Sequence, residues 1–206
     1  MTEFYFIRHG QTTANVMKMK QGTINTEMTY LNDNGQKQAH DLADNFDIGF
    51  ADRIICSPLE RTKQTAAILN EKAQLPISYD KRLIEISYGE WDGHQNAELR
   101  KLHPDAYNSY LNDVLPLYVK YAPSGETFDD VINRVHEFII DAMNEYPDDK
   151  IICVTHGFTV KAVALDVLKP QDPMTLPEPR NTSVTKVIAL PDTNEFYLEY
   201  YNQAFN

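Results

Sequence analysis

Cysteine is scarce in this chain: Cys56 and Cys153 are the only two among 206 residues. Each ends or interrupts an apolar run, Arg53-Ile54-Ile55-Cys56 and Ile151-Ile152-Cys153-Val154. Two buried free thiols in a reducing compartment are expected, although the sequence alone leaves a single disulfide open. A chain of this length can bury about 70% of its unfolded surface and needs no staples. Long hydrophobic runs are also missing. None approaches the roughly 18 residues of a membrane-spanning helix. The N-terminus lacks a basic region followed by a long apolar core, so a signal peptide is not expected and a cytoplasmic location is. Positive charge is short, with 19 Lys and Arg against 30 Asp and Glu, a net charge of -11. That balance argues against nucleic acid and anionic membrane as partners. It leaves room for a small anionic substrate held by a local cluster of Arg and His. The histidines (His9, His40, His94, His103, His136 and His156) show no metal-binding spacing, and Gly-rich nucleotide-binding loops are absent. No metal or cofactor is expected. There are no internal repeats and no low-complexity tract.

What is present alternates between strand and helix patterns. Glu3–Ile7, Arg53–Cys56, Pro76–Tyr79 and Lys150–Thr155 read as strands, and 184–190 with 195–201 as a late hairpin. Apolar residues at 39, 42, 43 and 46 predict a helix after a turn at Asn32-Asp33-Asn34-Gly35. Ser57-Pro58 opens a helix from about Leu59 to Glu71. The stripe from Phe128 to Met143 predicts the clearest helix, with Thr127 and Asp130 set as a capping box, and 158–168 predicts another. The alternation implies one α/β domain over 1–206, three layers α/β/α, with a mostly parallel sheet. The stretch 86–125, rich in Tyr, Asn, Asp and Pro, breaks the rhythm and reads as a small inserted cap.

Two histidines stand where apolar strands end: Arg8-His9-Gly10 after Glu3–Ile7 and His156-Gly157 after Ile151–Thr155. Open α/β sheets place ligand sites at such ends. A neutral imidazole attacks phosphorus readily, and its phosphoramidate passes the group on. The reaction needs cations around three oxygens, a task suited to the planar fork of Arg8 or Arg61, with His156 beside them. The leaving oxygen needs a proton, and Glu85, between apolar neighbours, is the candidate donor. Each residue alone reads more simply as structural; their joint placement at strand ends is what points to a site.

In order, Arg8-His9-Gly10, Ser57-Pro58-Leu59-Glu60-Arg61-Thr62, Glu85 ahead of Tyr88-Gly89-Glu90-Trp91-Asp92-Gly93, and Thr155-His156-Gly157 resemble the histidine phosphatase superfamily, in its phosphoglycerate-mutase-like branch. Asn15, Gln21-Gly22, Ser124–Thr127 and Asn181-Thr182-Ser183 extend the likeness over residues 3 to about 190. The resemblance implies a mixed, mostly parallel sheet with helices on both faces and a small cap. It implies that His9 carries the phosphoryl group, that Arg8, Arg61 and His156 clamp it, and that Glu85 donates the proton. Asn15, Gln21, Gly22, Tyr88 and Gly157 fall on the substrate side. Family members often carry Arg four residues after the position of Asn15, where this chain has Met19 between Lys18 and Lys20. The loop from Gly22 to Gly35 is also slightly long for the pattern.

The resemblance leaves phosphatase and mutase to be separated. Mutases of this kind carry extra cap cations, and their paired arginines and prolines are absent here. Only Arg100, Lys101 and Lys120 lie between 86 and 125, with Tyr88, Tyr107, Tyr110, Tyr118, Tyr121 and Trp91 instead. These aromatics read either as cap packing or as a rim of apolar faces with hydroxyl tips. The expected activity is hydrolysis of a small phosphate monoester, with a cofactor-dependent phosphoglycerate mutase or a non-catalytic phospho-ligand binder as alternatives. A cysteine phosphatase fits poorly: its loop takes about five residues between Cys and Arg, with free backbone N–H groups. Only Ser57, Pro58, Leu59 and Glu60 separate Cys56 from Arg61, and Pro58 has no N–H.

Overall fold

The structure is a computed structural model that describes residues 1–205. Its strands are β1 (Thr2–Arg8), β2 (Arg53–Cys56), β3 (Ile77–Tyr79), β4 (Lys150–Thr155), β5 (Val184–Leu190) and β6 (Glu195–Gln203). The helices are α1 (Thr13–Val16), α2 (Asp33–Asn45), α3 (Glu60–Leu69), α4 (Asn96–Leu102), α5 (Phe128–Glu145) and α6 (Gly157–Leu168). The six strands form one sheet in the order β3-β2-β4-β1-β5-β6. Strands β3, β2, β4 and β1 are parallel; β5 and β6 run antiparallel at the other edge.

The period of two along each strand divides the interior. Phe4 and Phe6 of β1 join a core with Phe138 of α5 and Phe158 of α6. Tyr5 and Ile7 face the other way, toward Leu42 of α2 and Leu69 of α3. In β4, Ile151 and Cys153 take the first face, and Ile152 and Val154 the second. These central strands are therefore apolar on both sides, and three layers follow. The same alternation answers the cysteine question. Cys56 of β2 lies in the second core and Cys153 in the first, so the thiols sit on opposite faces of the sheet and are free.

Register places the ligand-bearing ends. Arg8 lies beside Thr155, and Cys56 beside Val154, so the chain leaves β1, β2 and β4 at one edge of the sheet. His9, Ser57 and His156 are the first residues past those ends.

One local expectation is corrected, and one open choice is decided. Asn32–Gly35 is the first turn of α2 rather than a turn before it: the Asn32 side chain accepts from Gly35 N. The Asx chemistry that makes Asn a turn residue also makes it a helix cap. The 86–125 aromatics are chiefly packing. Trp91, Tyr107 and Tyr118 are buried in the core with Phe128, while Tyr110 is exposed. That stretch adds no strand to the sheet and carries α4 and short 3-10 turns. No helix among the described residues is long and apolar enough to cross a membrane.

The capping box of α5 has both bonds: Thr127 Oγ1 accepts from Asp130 N at 3.1 Å, and Asp130 accepts from Thr127 N at 2.7 Å. Thr127→Ala should lower stability by about 1 kcal/mol. The expected reading is a lower urea midpoint at unchanged slope; an unmoved midpoint would contradict the cap's role.

Candidate active site

His9 is held by its backbone before its ring is considered. His9 N donates to Thr155 O at 3.0 Å, and His9 O accepts from Asn181 Nδ2 at 2.9 Å. Gly10 N donates to Thr65 Oγ1 at 3.1 Å. The ring nitrogen Nδ1 lies 2.7 Å from Gly10 O. A carbonyl oxygen can only accept, so Nδ1 carries the proton and Nε2 keeps its lone pair. Burial, joined by the guanidinium groups of Arg61 and Arg8, holds the His9 pKa well below its ordinary value. The imidazole is therefore neutral and nucleophilic at Nε2.

Arg61 stands in the first turn of α3, just past Ser57-Pro58 at the end of β2. Its side chain is fully buried. Nη2 donates to Gly22 O at 2.8 Å, Nη1 to Ile24 O at 2.9 Å, and Nε to His156 Nδ1 at 3.2 Å. Among the described residues no carboxylate forms an ion pair with it. Burial pushes its pKa down to about 10, opposed by the Glu85 carboxylate.

His156 makes its two ring contacts with Arg61 and Ser57. Its Nδ1 accepts from Arg61, and its Nε2 lies 2.7 Å from Ser57 Oγ. With Nδ1 an acceptor, Nε2 carries the proton and donates to Ser57. Both ring nitrogens are thus committed, and the imidazole orients Arg61. Burial above all, then Arg61, keeps it neutral. Its ring stands 5.3 Å from that of His9.

Arg8 ends β1. Nη1 donates to Pro179 O at 2.5 Å and lies 3.5 Å from Glu178 Oε2; Nε is buried without a partner. Glu85 lies at the N-terminus of α6. Its Oε1 accepts from Ile86 N (3.0 Å), Thr159 N (3.2 Å) and Thr159 Oγ1 (3.3 Å), and Oε2 from Phe158 N (3.3 Å). Its flanks Ile84 and Ile86 are apolar, as anticipated, while three backbone N–H groups meet the carboxylate.

The remaining predicted residues gather nearby. Arg8, Asn15, Gln21, Gly22, Glu85 and Tyr88 all line one cavity of about 740 Å³. Asn15 closes a capping box with Thr12, and Gln21 accepts from Thr12 Oγ1 at 3.0 Å. Gly157 is the first residue of α6, and a Cβ there would come within 2.8 Å of Arg8 Cζ. Sequence reasoning missed Ser57 as the partner of His156, and missed Lys20, Asp113 and Glu178. Lys20 is buried and paired with Asp113 at 2.8 Å, and all three line the cavity. Only the charge beside Met19 hinted at Lys20.

A strand-end histidine with a free Nε2, flanked by guanidiniums and a carboxyl, agrees with comparison to known proteins. The model of the histidine phosphatase superfamily (branch 1) matches residues 4–203. The chain belongs to the histidine phosphatase superfamily. It is 30% identical over 167 residues to the uncharacterized phosphatase PhoE of Bacillus subtilis, covering 81% of this chain and 78% of that protein. It is 28% identical to phosphoserine phosphatase 1 of Hydrogenobacter thermophilus, over 79% of this chain and 74% of that one. Among solved structures, Bacillus stearothermophilus YhfR superposes with a TM-score of 0.85 at 27% identity, covering 99% and 98% of the two chains. A mycobacterial glucosyl-3-phosphoglycerate phosphatase in complex with VO3 gives 0.84 at 26% identity, covering 98% and 99%. The mixed, mostly parallel sheet with helices on both faces is thus the fold of this superfamily.

The neutral histidine leaves a signature in stability. Unfolded, His9 binds a proton near its ordinary value of 6.5; folded, it resists protonation to far lower pH. Its contribution is therefore complete above about pH 6.5 and is lost as pH falls from there toward the folded value, by up to about 1.4 kcal/mol per pH unit. Glu178, raised to about 7 from 4.5, acts in the opposite sense, so the difference between wild type and variant is the measure. The stability gap between wild type and His9→Ala, from urea unfolding at about pH 7.5 and about pH 5.5, should shrink at the lower pH. A constant gap would show that the folded state protonates His9 as readily as the unfolded chain.

Proposed function

We propose that this protein is a phosphomonoesterase that transfers the phosphoryl group of a small phosphorylated metabolite to His9 Nε2 and then to water. The observation that carries the reading is the Nδ1–H to Gly10 O bond, which leaves Nε2 as the free lone pair beside two guanidiniums. Nε2 forms a bond to phosphorus as the ester P–O bond breaks, and the Glu85 carboxyl gives its proton to the leaving oxygen. The Glu85 carboxylate then takes a proton from water as that water attacks phospho-His9. The P–N bond breaks, phosphate leaves, and both groups regain their starting states. Arg61 and Arg8 face the charge spread over the equatorial oxygens, and His156 holds Arg61 in place through Nε.

The relatives support hydrolysis of small phosphate esters, their names covering phosphoserine and glucosyl-3-phosphoglycerate. The cavity supports hydrolysis over transfer to a second anion. Its inner cations, Arg8 and Lys20, already face Glu178 and Asp113.

His9→Ala should lower kcat/KM for 4-nitrophenyl phosphate by about a thousandfold or more, and labelled phosphate trapped on wild type should be absent from the variant. Turnover near the wild-type rate would remove His9 as nucleophile. Glu85→Gln should cost much more with an alkyl phosphate than with 4-nitrophenyl phosphate, whose leaving group needs little protonation. Equal losses on both would separate Glu85 from proton donation.

A further inference from the structure

We propose that the cavity next to the phosphate clamp is a leaving-group subsite for hydroxyl-bearing esters, polyol or sugar phosphates, read by Tyr88, Glu178 and Asp113. The inference rests on the phosphomonoesterase reading and adds the class of substrate.

The first observation is Tyr88. It is only 4% exposed, yet it lines the cavity, and among the described residues its hydroxyl has no hydrogen-bond partner. Its position is fixed from several sides. Tyr88 N donates to Asp92 Oδ1 at 3.0 Å, Lys20 Nζ lies 4.3 Å over the ring, and Tyr118 packs edge-on at 5.4 Å. A rigid hydroxyl left open in a largely buried place is set to exchange hydrogen bonds with a ligand. The carboxyls of Glu178, Asp113 and Glu85 all press on its ionisation, which places it among them.

The second observation is the unused acceptor capacity. Glu178 lines the cavity with 23% of its side chain exposed, and among the described residues its one polar side-chain contact is Arg8 at 3.5 Å. Asp113 spends one oxygen on both Lys20 Nζ and Val114 N, each at 2.8 Å. Its Oδ2 has no partner among the described residues. These carboxylate oxygens therefore ask for donors, and the Tyr88 hydroxyl can both give and take a hydrogen bond.

Charge balance selects the kind of donor. Glu178 is matched by Arg8, and Asp113 by Lys20, so an ammonium would bring an excess charge and a carboxylate would face the Glu178 and Asp113 carboxylates. Neutral hydroxyls meet both conditions. Glu178, raised to about 7 chiefly by burial and by Asp113, is also a partial O–H donor at neutral pH. The cations without acidic partners, Lys18 and Arg100, lie exposed at the mouth, where Arg100 bonds Asn112. A volume of about 740 Å³ accepts an organic body well beyond a phosphate group.

The test compares glycerol phosphate and glucose 6-phosphate with propyl phosphate, an alkyl ester without hydroxyls, and with 3-phosphoglycerate. Wild type should favour the hydroxyl-bearing esters over both. Tyr88→Phe keeps the ring under Lys20, and Glu178→Gln keeps the shape. Each should lower the ratio of kcat/KM for glucose 6-phosphate to that for propyl phosphate by about tenfold. A ratio constant within about twofold in both variants, or a wild-type preference for 3-phosphoglycerate, overturns the subsite. If wild type hydrolyses none of these esters and no aryl phosphate, the phosphomonoesterase reading fails first. Turnover of propyl phosphate with unmoved ratios leaves that reading intact and removes only the subsite.

Discussion

A guanidinium sealed from water without a carboxylate partner is the constraint on which this site depends. Burying an uncompensated cation is costly, and proteins ordinarily pair it. Here the Arg61 fork is met by two carbonyl oxygens and a neutral imidazole, which take three of its five N–H donors without cancelling its charge. The carboxylates of Glu85 and Asp92 act on it only from a distance. That is how a chain of net charge -11 keeps one electropositive point. It also explains why both histidines are neutral, since a second and third cation in the same enclosure would raise the cost further.

Holding those carbonyls in place recruits distant segments. Gly22 has φ +46, and a side chain there would collide with the Asp92 carboxylate. Asp92 in turn accepts from Thr23 N at 3.1 Å and from Tyr88 N at 3.0 Å. One carboxylate thus ties the loop that binds Arg61 to the segment that carries Tyr88. Burial holds its pKa up, and the backbone donors work against that. The inserted stretch is therefore more than a cover. Its main-chain N–H groups help set the oxygens that grip the arginine.

How legible this was in the sequence follows from separation and period. Strands with apolar runs, and helices with a clean stripe such as α5, are written locally, and so are Arg8 and His9 at the end of β1. Arg61 could be placed because Ser57-Pro58 marks where β2 stops. The tasks of these groups were less visible. His156 acts on Arg61 because Ser57, 99 positions away, takes its other nitrogen. The Lys20–Asp113 pair spans 93 positions, and Glu178 reaches Arg8 from the proline-rich loop before β5. No spacing rule connects such residues; only the closed sheet does. The cap aromatics were ambiguous for a related reason. A Tyr has the same letter whether it fills a core, as Tyr118 does, or opens a hydroxyl to a cavity, as Tyr88 does.

Gly157 shows how clamp and cavity share a wall. A Cβ at this position would strike both the Glu178 carboxylate and Arg8 Cζ, so only the bare backbone lets these two side chains lie against the start of α6. Arg8 then faces two ways. One nitrogen is anchored to Pro179 O and sits near Glu178, while the rest of the fork is left for an anion. A phosphate at Arg8 would draw the guanidinium's charge away from Glu178, and the carboxyl would then favour its protonated, hydrogen-donating form. On the proposed reading, binding of the phosphate and reading of the group attached to it would be coupled through a single arginine, with no moving part required.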